Sequence, residues 1–397
     1  MTGPLTGIRV LELAQFAAGP AVGLLLADMG AEIIKIEPPD GDPTRTRSLY
    51  EVRGQSAYFM HFNRGKRSVV IDLKTAAGRE VLRDLVKGAD VFLSNLRPGK
   101  LEKLALDYAS LRQINARIIA TTVTGFGWTG EQRDRPSFDA LAQAMGGLMS
   151  ITGEPDRAPV VAGVTIGDLS GAMFAAMGTL GALVERGVTG AGQHVDVSML
   201  DSVEWLAGYP GAYYLASGQV PGPLGSGHEN ASPYGAYQTR DGRYLFVAAH
   251  HMWEPFCREL GREDLIADAR FKERKGRIAN RAELDHAIQS EFRKRDLQEW
   301  TRLLEAKDIP CAPVNTLAEV FNDPLTLARR MKVEARHPDG GTYPAVGNPM
   351  KFSLHPDDFN PAPYLGADTE STLMGMAGYT RERVDELKRK GVVAGAR

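Results

Sequence analysis

The chain has 397 residues, 43% hydrophobic and 24% charged, with a formal net charge of −2. That length exceeds one ordinary core, so two domains are expected, and the composition excludes a disordered or fibrous chain. The near-zero charge removes the electrostatic case for a nucleic-acid or membrane partner.

Two cysteines, Cys257 and Cys311, form neither a zinc motif nor a disulfide framework. His250 and His251 are adjacent and on a strand would face opposite ways, so no metal site is expected. The opening residues lack a basic segment followed by an apolar run. The apolar uncharged stretch 169–184 is Gly-rich and short for a bilayer, so a cytoplasmic protein is expected.

Residues 8–14 read as a buried strand, followed by the loop QFAAGP. An apolar helix follows, with Pro20 near its first turn and Gly30 as its stop, and AEIIKIEP resumes as a strand. This is a βαβ unit. Residues 40–65 read as polar and irregular, with Arg45, Arg47, Arg53 and Arg64. Then come a strand (67–74), a helix (75–89), a strand (90–95), a helix over 97–115 and a strand (116–126). The alternation predicts an α/β fold, an open parallel sheet with helices on both faces. Ligands bind such sheets beyond the carboxyl ends of the strands, so the loops after Ala14, Lys74, Asn95 and Gly125 should converge.

GFGWTG at 125–130 matches a dinucleotide-binding pattern, but EQRDRPSFD follows where an apolar helix is required, so it reads as a glycine-rich turn. Residues 139–150 read as a helix, 161–184 as a loop and a long buried helix, and 193–218 as a short strand and one helix. The Gly-, Pro- and Ser-rich stretch 221–233 reads as a linker or mobile loop. Strands 234–239 and 243–250 are joined by the hairpin signal Asp241-Gly242. Helical segments cover 252–306, and the tail from 325 carries short strands and a final helix.

Asp168 stands between Gly167 and a run of small apolar residues. Its commonest role there is a helix cap. A helix start also holds a carboxylate ionised, as a nucleophile requires.

Several segments together resemble the class III CoA-transferases, a family that includes formyl-CoA and carnitine CoA-transferases and the related 2-methylacyl-CoA racemases. They are GIRVLELAQFAAGPAVGLLLADMGAEIIKIEPP, YFMHFNRGKRSVVIDLK, NLRPGKLEKL, GFGWTG with RPSFDALAQAMGGLMSITG, GDLSGAMFAAMGTLGAL and GQHVDVSMLDS, in matching order. The resemblance implies a Rossmann-like large domain (1–220 and 326–397) with an inserted small α+β domain (221–325). It also implies an interlocked homodimer.

It implies, too, that Asp168 is the catalytic nucleophile, passing through an acyl-aspartyl anhydride and an aspartyl-CoA thioester. Such covalent catalysis splits one difficult exchange into easier steps. Coenzyme A would be a substrate, with no cofactor bound permanently; the partners would be an acyl-CoA and a carboxylic acid acceptor. By motif match the CoA contacts fall on Phe16, Ala17, Leu73, Lys74, Asn95, Leu96, Arg97, Lys103 and Arg135. Lys103 stands where several relatives carry Arg. Gln15, Tyr58, Phe138, Gly167 and His228 would line the acyl pocket, Gly167 as a candidate oxyanion donor.

Departures from the family pattern choose between members. Racemase relatives have a His-Asp pattern where this chain reads Pro136-Ser137-Phe138-Asp139. Racemisation needs two acid/base groups flanking the α-carbon, so transfer is favoured and a racemase or epimerase is the alternative. The loop GPLGSGHENASPYGAYQ lacks the consecutive glycines of the formyl-CoA enzymes, and Gln15 is shifted. Ser226, His228, Asn230 and Ser232 could meet a polar acyl group, so the expected exchange is succinyl-CoA with a dicarboxylate.

Overall fold

The computed structural model describes residues 3–396. They divide into two compact units: 3–148, 162–211 and 325–396 form the first, and 149–161 with 212–324 form the second.

The first unit is built on a seven-stranded sheet. Its elements in order are β1 (Arg9–Leu13), α1 (Ala18–Asp28), β2 (Glu32–Glu37), α2 (Ala57–Asn63), β3 (Arg67–Ile71), α3 (Ala76–Val86) and β4 (Val91–Ser94). Then follow α4 (Pro98–Leu104), α5 (Tyr108–Ile114), β5 (Ile119–Thr124), α6 (Asp139–Met145), α7 (Ile166–Thr189), β6 (His194–Ser198) and α8 (Met199–Leu206). The strand order is 3-2-1-4-5-6, all parallel. A C-terminal strand, Val393–Ala394, closes the β3 edge antiparallel, with Val393 opposite Ile71. This is the doubly wound Rossmann-like order, and its direction reverses between β1 and β4.

Both faces of the sheet are buried, which is why its strands read as continuous apolar runs. Side chains alternate between the faces. Val10 of β1 packs with Ile33, Val91, Ile119 and the small residues Ala172, Ala175 and Ala176 of α7. Its neighbour Leu11 packs with Ile34, Val69, Phe92 and α3 residues Val81, Leu82 and Leu85. Close approach of α7 to the sheet needs its small side chains. A Cβ on Gly178 would come within 2.6 Å of Val195 Cγ1.

In the second unit, a three-stranded antiparallel sheet (Gly235–Gln238, Tyr244–Val247 and Cys311–Pro313) packs with helices Trp253–Leu260, Arg281–Phe292 and Leu297–Glu305. Gly242 makes the hairpin turn at a φ of +80°.

Several elements differ from the sequence expectation, each for a local reason. The helix over 97–115 is two, because Ala105 turns left-handed at a φ of +52° and the Asp107 side chain caps the second. The helix expected over 139–150 ends at Met145, where Gly146 and Gly147 follow, Gly147 with a φ of +80°. The helix after β6 breaks at Gly208, whose φ is +53°. The stretch 40–65 is not wholly irregular: Ser56 accepts from the Phe59 N–H and starts α2. Helix α7 is buried on one face only. Met173, Met177, Val184 and Val188 of its outer face are 48%, 55%, 73% and 87% exposed. It is long and apolar enough to cross a bilayer, as core helices of soluble proteins also are. His250 and His251 lie beyond the strand that ends at Val247, and their ring centroids are 4.0 Å apart rather than on opposite faces.

Candidate active site

The direction reversal between β1 and β4 leaves a crevice at their carboxyl ends, where a parallel sheet receives ligands. A cavity of about 340 Å³ opens there. Its wall comes from Gln15–Ala18 after β1, Asn95–Arg97 after β4, Thr124 and Gly125 at the end of β5, and Asp168 of α7.

The loop after β1 is held in an unusual shape. Phe16 adopts a φ of +64°, costly for a side chain of this size. Asn95 braces it from β4: its Oδ1 accepts from the Gln15 N–H at 3.0 Å and its Nδ2 donates to the Gln15 carbonyl at 2.7 Å. A side-chain amide thereby stands in for a strand neighbour.

Asp168 is the third residue of α7 and does not cap it. The cap comes from α6. Asp139 Oδ1 accepts from the Gly167 N–H at 2.7 Å and from the Asp168 N–H at 3.3 Å. Gln143 Nε2 donates to the other Asp139 oxygen at 2.7 Å, and Gln143 Oε1 accepts from the Ala162 N–H at 2.9 Å. Two otherwise orphaned amides of α7 are satisfied this way, and the Gly167 N–H is engaged.

The electrostatics of Asp168 run opposite to the sequence expectation. A helix start favours the ionised form. Burial, and then the charge of Asp139, push the other way, and the Asp168 carboxyl is raised to about 7. At neutral pH it is poised between its two forms, suited to attack as a carboxylate or to exchange a proton. Tyr58 lies within electrostatic reach: burial, then the charges of Asp168 and Asp42, push its phenol up.

Three cations, Arg97, Lys100 and Arg135, line the cavity. Arg97 donates to the Asp134 carbonyl at 3.0 Å, and the Arg135 guanidinium sits 5.6 Å from the Phe126 ring centre. An anionic ligand is the chemistry such a wall accepts.

The structure thus gathers Gln15, Phe16, Ala17, Asn95, Leu96, Arg97, Arg135, Phe138 and Asp168 around one cavity. Leu73, Lys74 and Lys103 lie outside its wall. The first two follow β3, two strands from β1 and so roughly 10 Å to the side. Lys103 is exposed on α4, one turn beyond Lys100, which does line the cavity. His228 belongs to the second unit, where its ring packs edge-on to Tyr234 with centroids 5.2 Å apart. Sequence reasoning missed Lys100, Asp139 and Gln143. The spacing of Asp139 and Gln143, i and i+4 on one helix face, was the available signal. Among the described residues no cluster of three or more His, Cys, Asp or Glu side chains could hold a metal ion.

The chain is similar to known proteins over nearly its whole length. The chain is 38% identical over 379 residues to a succinate–glutarate CoA-transferase of Agrobacterium fabrum, covering 93% of this chain and 95% of the relative. It is 34% identical to a succinyl-CoA:glutarate CoA-transferase of Mus musculus, covering 98% and 90% respectively. A crystal structure of a CAIB/BAIF family protein from Brucella suis superposes with a TM-score of 0.85 at 37% identity, covering 95% of this chain and 100% of that one. The sequence model of CoA-transferase family III matches residues 5–369, and the chain belongs to that family.

Proposed function

We propose that this enzyme moves CoA from succinyl-CoA to a free dicarboxylate, with Asp168 as the nucleophile. The single observation that carries the reading is the Asp168 carboxylate in the cavity wall, poised near neutrality, in a cavity that Arg97, Lys100 and Arg135 also line. The relatives named for succinyl and glutaryl exchange support the choice of acids.

In this reading an Asp168 oxygen attacks the thioester carbonyl, the C–S bond breaks, and CoA leaves as thiolate. The thiolate then attacks the aspartyl carbonyl of the anhydride, the donor acid departs as carboxylate, and aspartyl-CoA remains. The acceptor carboxylate reverses both steps. Arg97, Lys100 and Arg135 are the candidate partners for CoA phosphates, with Lys74 and Lys103 further out along the molecule. Burial of the carboxyl limits the water that would hydrolyse the anhydride.

We also infer a homodimer. The apolar outer face of α7 supports it, since contiguous exposed apolar surface marks an interaction site.

Hydroxylamine added during turnover should trap an Asp168 hydroxamate, detectable by peptide mass spectrometry. Asp168→Ala should abolish exchange, with a loss of at least ~10³-fold while the fold is retained. Unimpaired exchange in that variant sinks the reading. Solvent deuterium entering the α-carbon of an acyl-CoA without an acceptor acid would support a racemase instead.

A further inference from the structure

A group of charges lies wholly buried beneath the cavity. Glu12 of β1, Lys35 of β2 and Lys66 just before β3 are each at 0% side-chain exposure. Charges so placed persist only when they are paired. Here both ammonium groups are ion-paired to Glu12.

Lys35 Nζ reaches Glu12 Oε1 at 3.1 Å, Asp42 Oδ2 at 2.9 Å and the Ala14 carbonyl at 2.9 Å. Lys66 Nζ reaches Glu12 Oε2 at 2.7 Å, Asn63 Oδ1 at 3.1 Å and the Pro20 carbonyl at 2.8 Å. Lys66 therefore donates to Glu12, to Asn63 and to a backbone carbonyl, while Lys35 donates to Glu12 and to a backbone carbonyl and is ion-paired with Asp42. The two carbonyls are those of Ala14 and Pro20, which bracket the segment Gln15–Ala18 of the cavity wall.

Helix α1 is shaped around the same cluster. A Cβ on Gly23 would fall 1.8 Å from Glu12 Oε2. A hydrophobic cluster of equal volume would fill this space at less desolvation cost but could not grip two carbonyls. The left-handed Phe16 between them is a conformation that persists only when its surroundings over-determine it.

We propose that the buried Glu12–Lys35–Lys66 cluster is a positioning device, clamping both ends of the 14–20 segment so that the cavity wall is preformed for CoA. The proposal rests on the reading that this cavity receives CoA. The three residues touch no substrate; they act through the Ala14 and Pro20 carbonyls.

Two charge-balanced variants test it. Glu12→Gln with Lys66→Met releases Pro20 and leaves Lys35 paired with Asp42. Lys35→Met with Asp42→Asn releases Ala14 and leaves Lys66 paired with Glu12. Each should weaken CoA binding by calorimetry about tenfold and speed amide exchange across residues 15–18 by about tenfold. Should either variant fail to fold, Asn63→Ala, which removes one acceptor of Lys66, should show the same effects at roughly threefold. Leu387→Ala, in the core of the opposite sheet face, serves as control and should lower Tm with CoA affinity unchanged. The proposal is overturned by variants that keep wild-type affinity and exchange within twofold. It is equally overturned if the control loses CoA affinity to the same extent. Wild-type enzyme that binds no CoA would instead defeat the proposed function, and the exchange measurement would still decide the clamp.

Discussion

Asp168 shows what burial of a single carboxyl does to stability. Its carboxyl is raised from 3.8 to about 7, by burial first and the Asp139 charge second. Between those two values the folded chain binds more protons than the unfolded one, so this group's contribution to stability falls as pH rises through that window. Its protonated form is tolerated below about 4; its ionised form carries the full cost above about 7. Asp168→Asn should therefore be more stable than wild type by ~2–4 kcal/mol at pH 8, a gain that vanishes near pH 3.5, read by denaturant unfolding at each pH. If Asp168 is the nucleophile as proposed, the rate of anhydride formation should rise with pH along a single limb near 7. Asp139→Asn removes the like charge while its side-chain oxygen can still cap α7, so the limb should move to lower pH. A limb that stays in place would show that burial alone sets it. Nothing local in the sequence carried this. Gly167-Asp168 before an apolar run announces a helix start, whereas the capping carboxylate sits 28–29 positions earlier.

At the scale of elements, the path of the chain depends on a few close contacts. The Glu12 carboxylate occupies the space a side chain at position 23 would need. Gly23→Ala should cost at least ~3 kcal/mol in urea unfolding, well above the ~1 kcal/mol helix-propensity gain it would otherwise bring. A variant as stable as wild type would mean that α1 can shift away from β1 freely. The strands were legible because β1 to β5 are apolar on both faces, and α1 and α3 because helix signals bound them. The break at Ala105 was not, since alanine seldom turns left-handed and the cause lies in the Asp107 cap that restarts the helix. α2 was hidden among arginines, although Ser56 was its cap signal.

On the scale of the whole molecule, α7 carries two different surfaces. Its small-residue face packs on β5 and β6, with Thr121 and Thr179 hydroxyls 2.7 Å apart, while Met173, Met177, Val184 and Val188 face outward. Light scattering should give a mass twice the 43.1 kDa of one chain. Val184→Lys with Val188→Lys should shift that mass toward the monomer if this face is the interface. An unchanged dimer would place the interface elsewhere. The sequence by itself determined the β-α alternation and the parallel sheet, because apolar periodicity and glycine punctuation are local properties; Asp168 stood out only through the resemblance to the CoA-transferase family. Only the tertiary structure decided which loops share the cavity, that Asp139 caps α7 and raises the Asp168 carboxyl, and that Lys35 and Lys66 converge on Glu12. Those outcomes depend on strand order and burial, which bring together residues dozens of positions apart and set the dielectric in which their charges act.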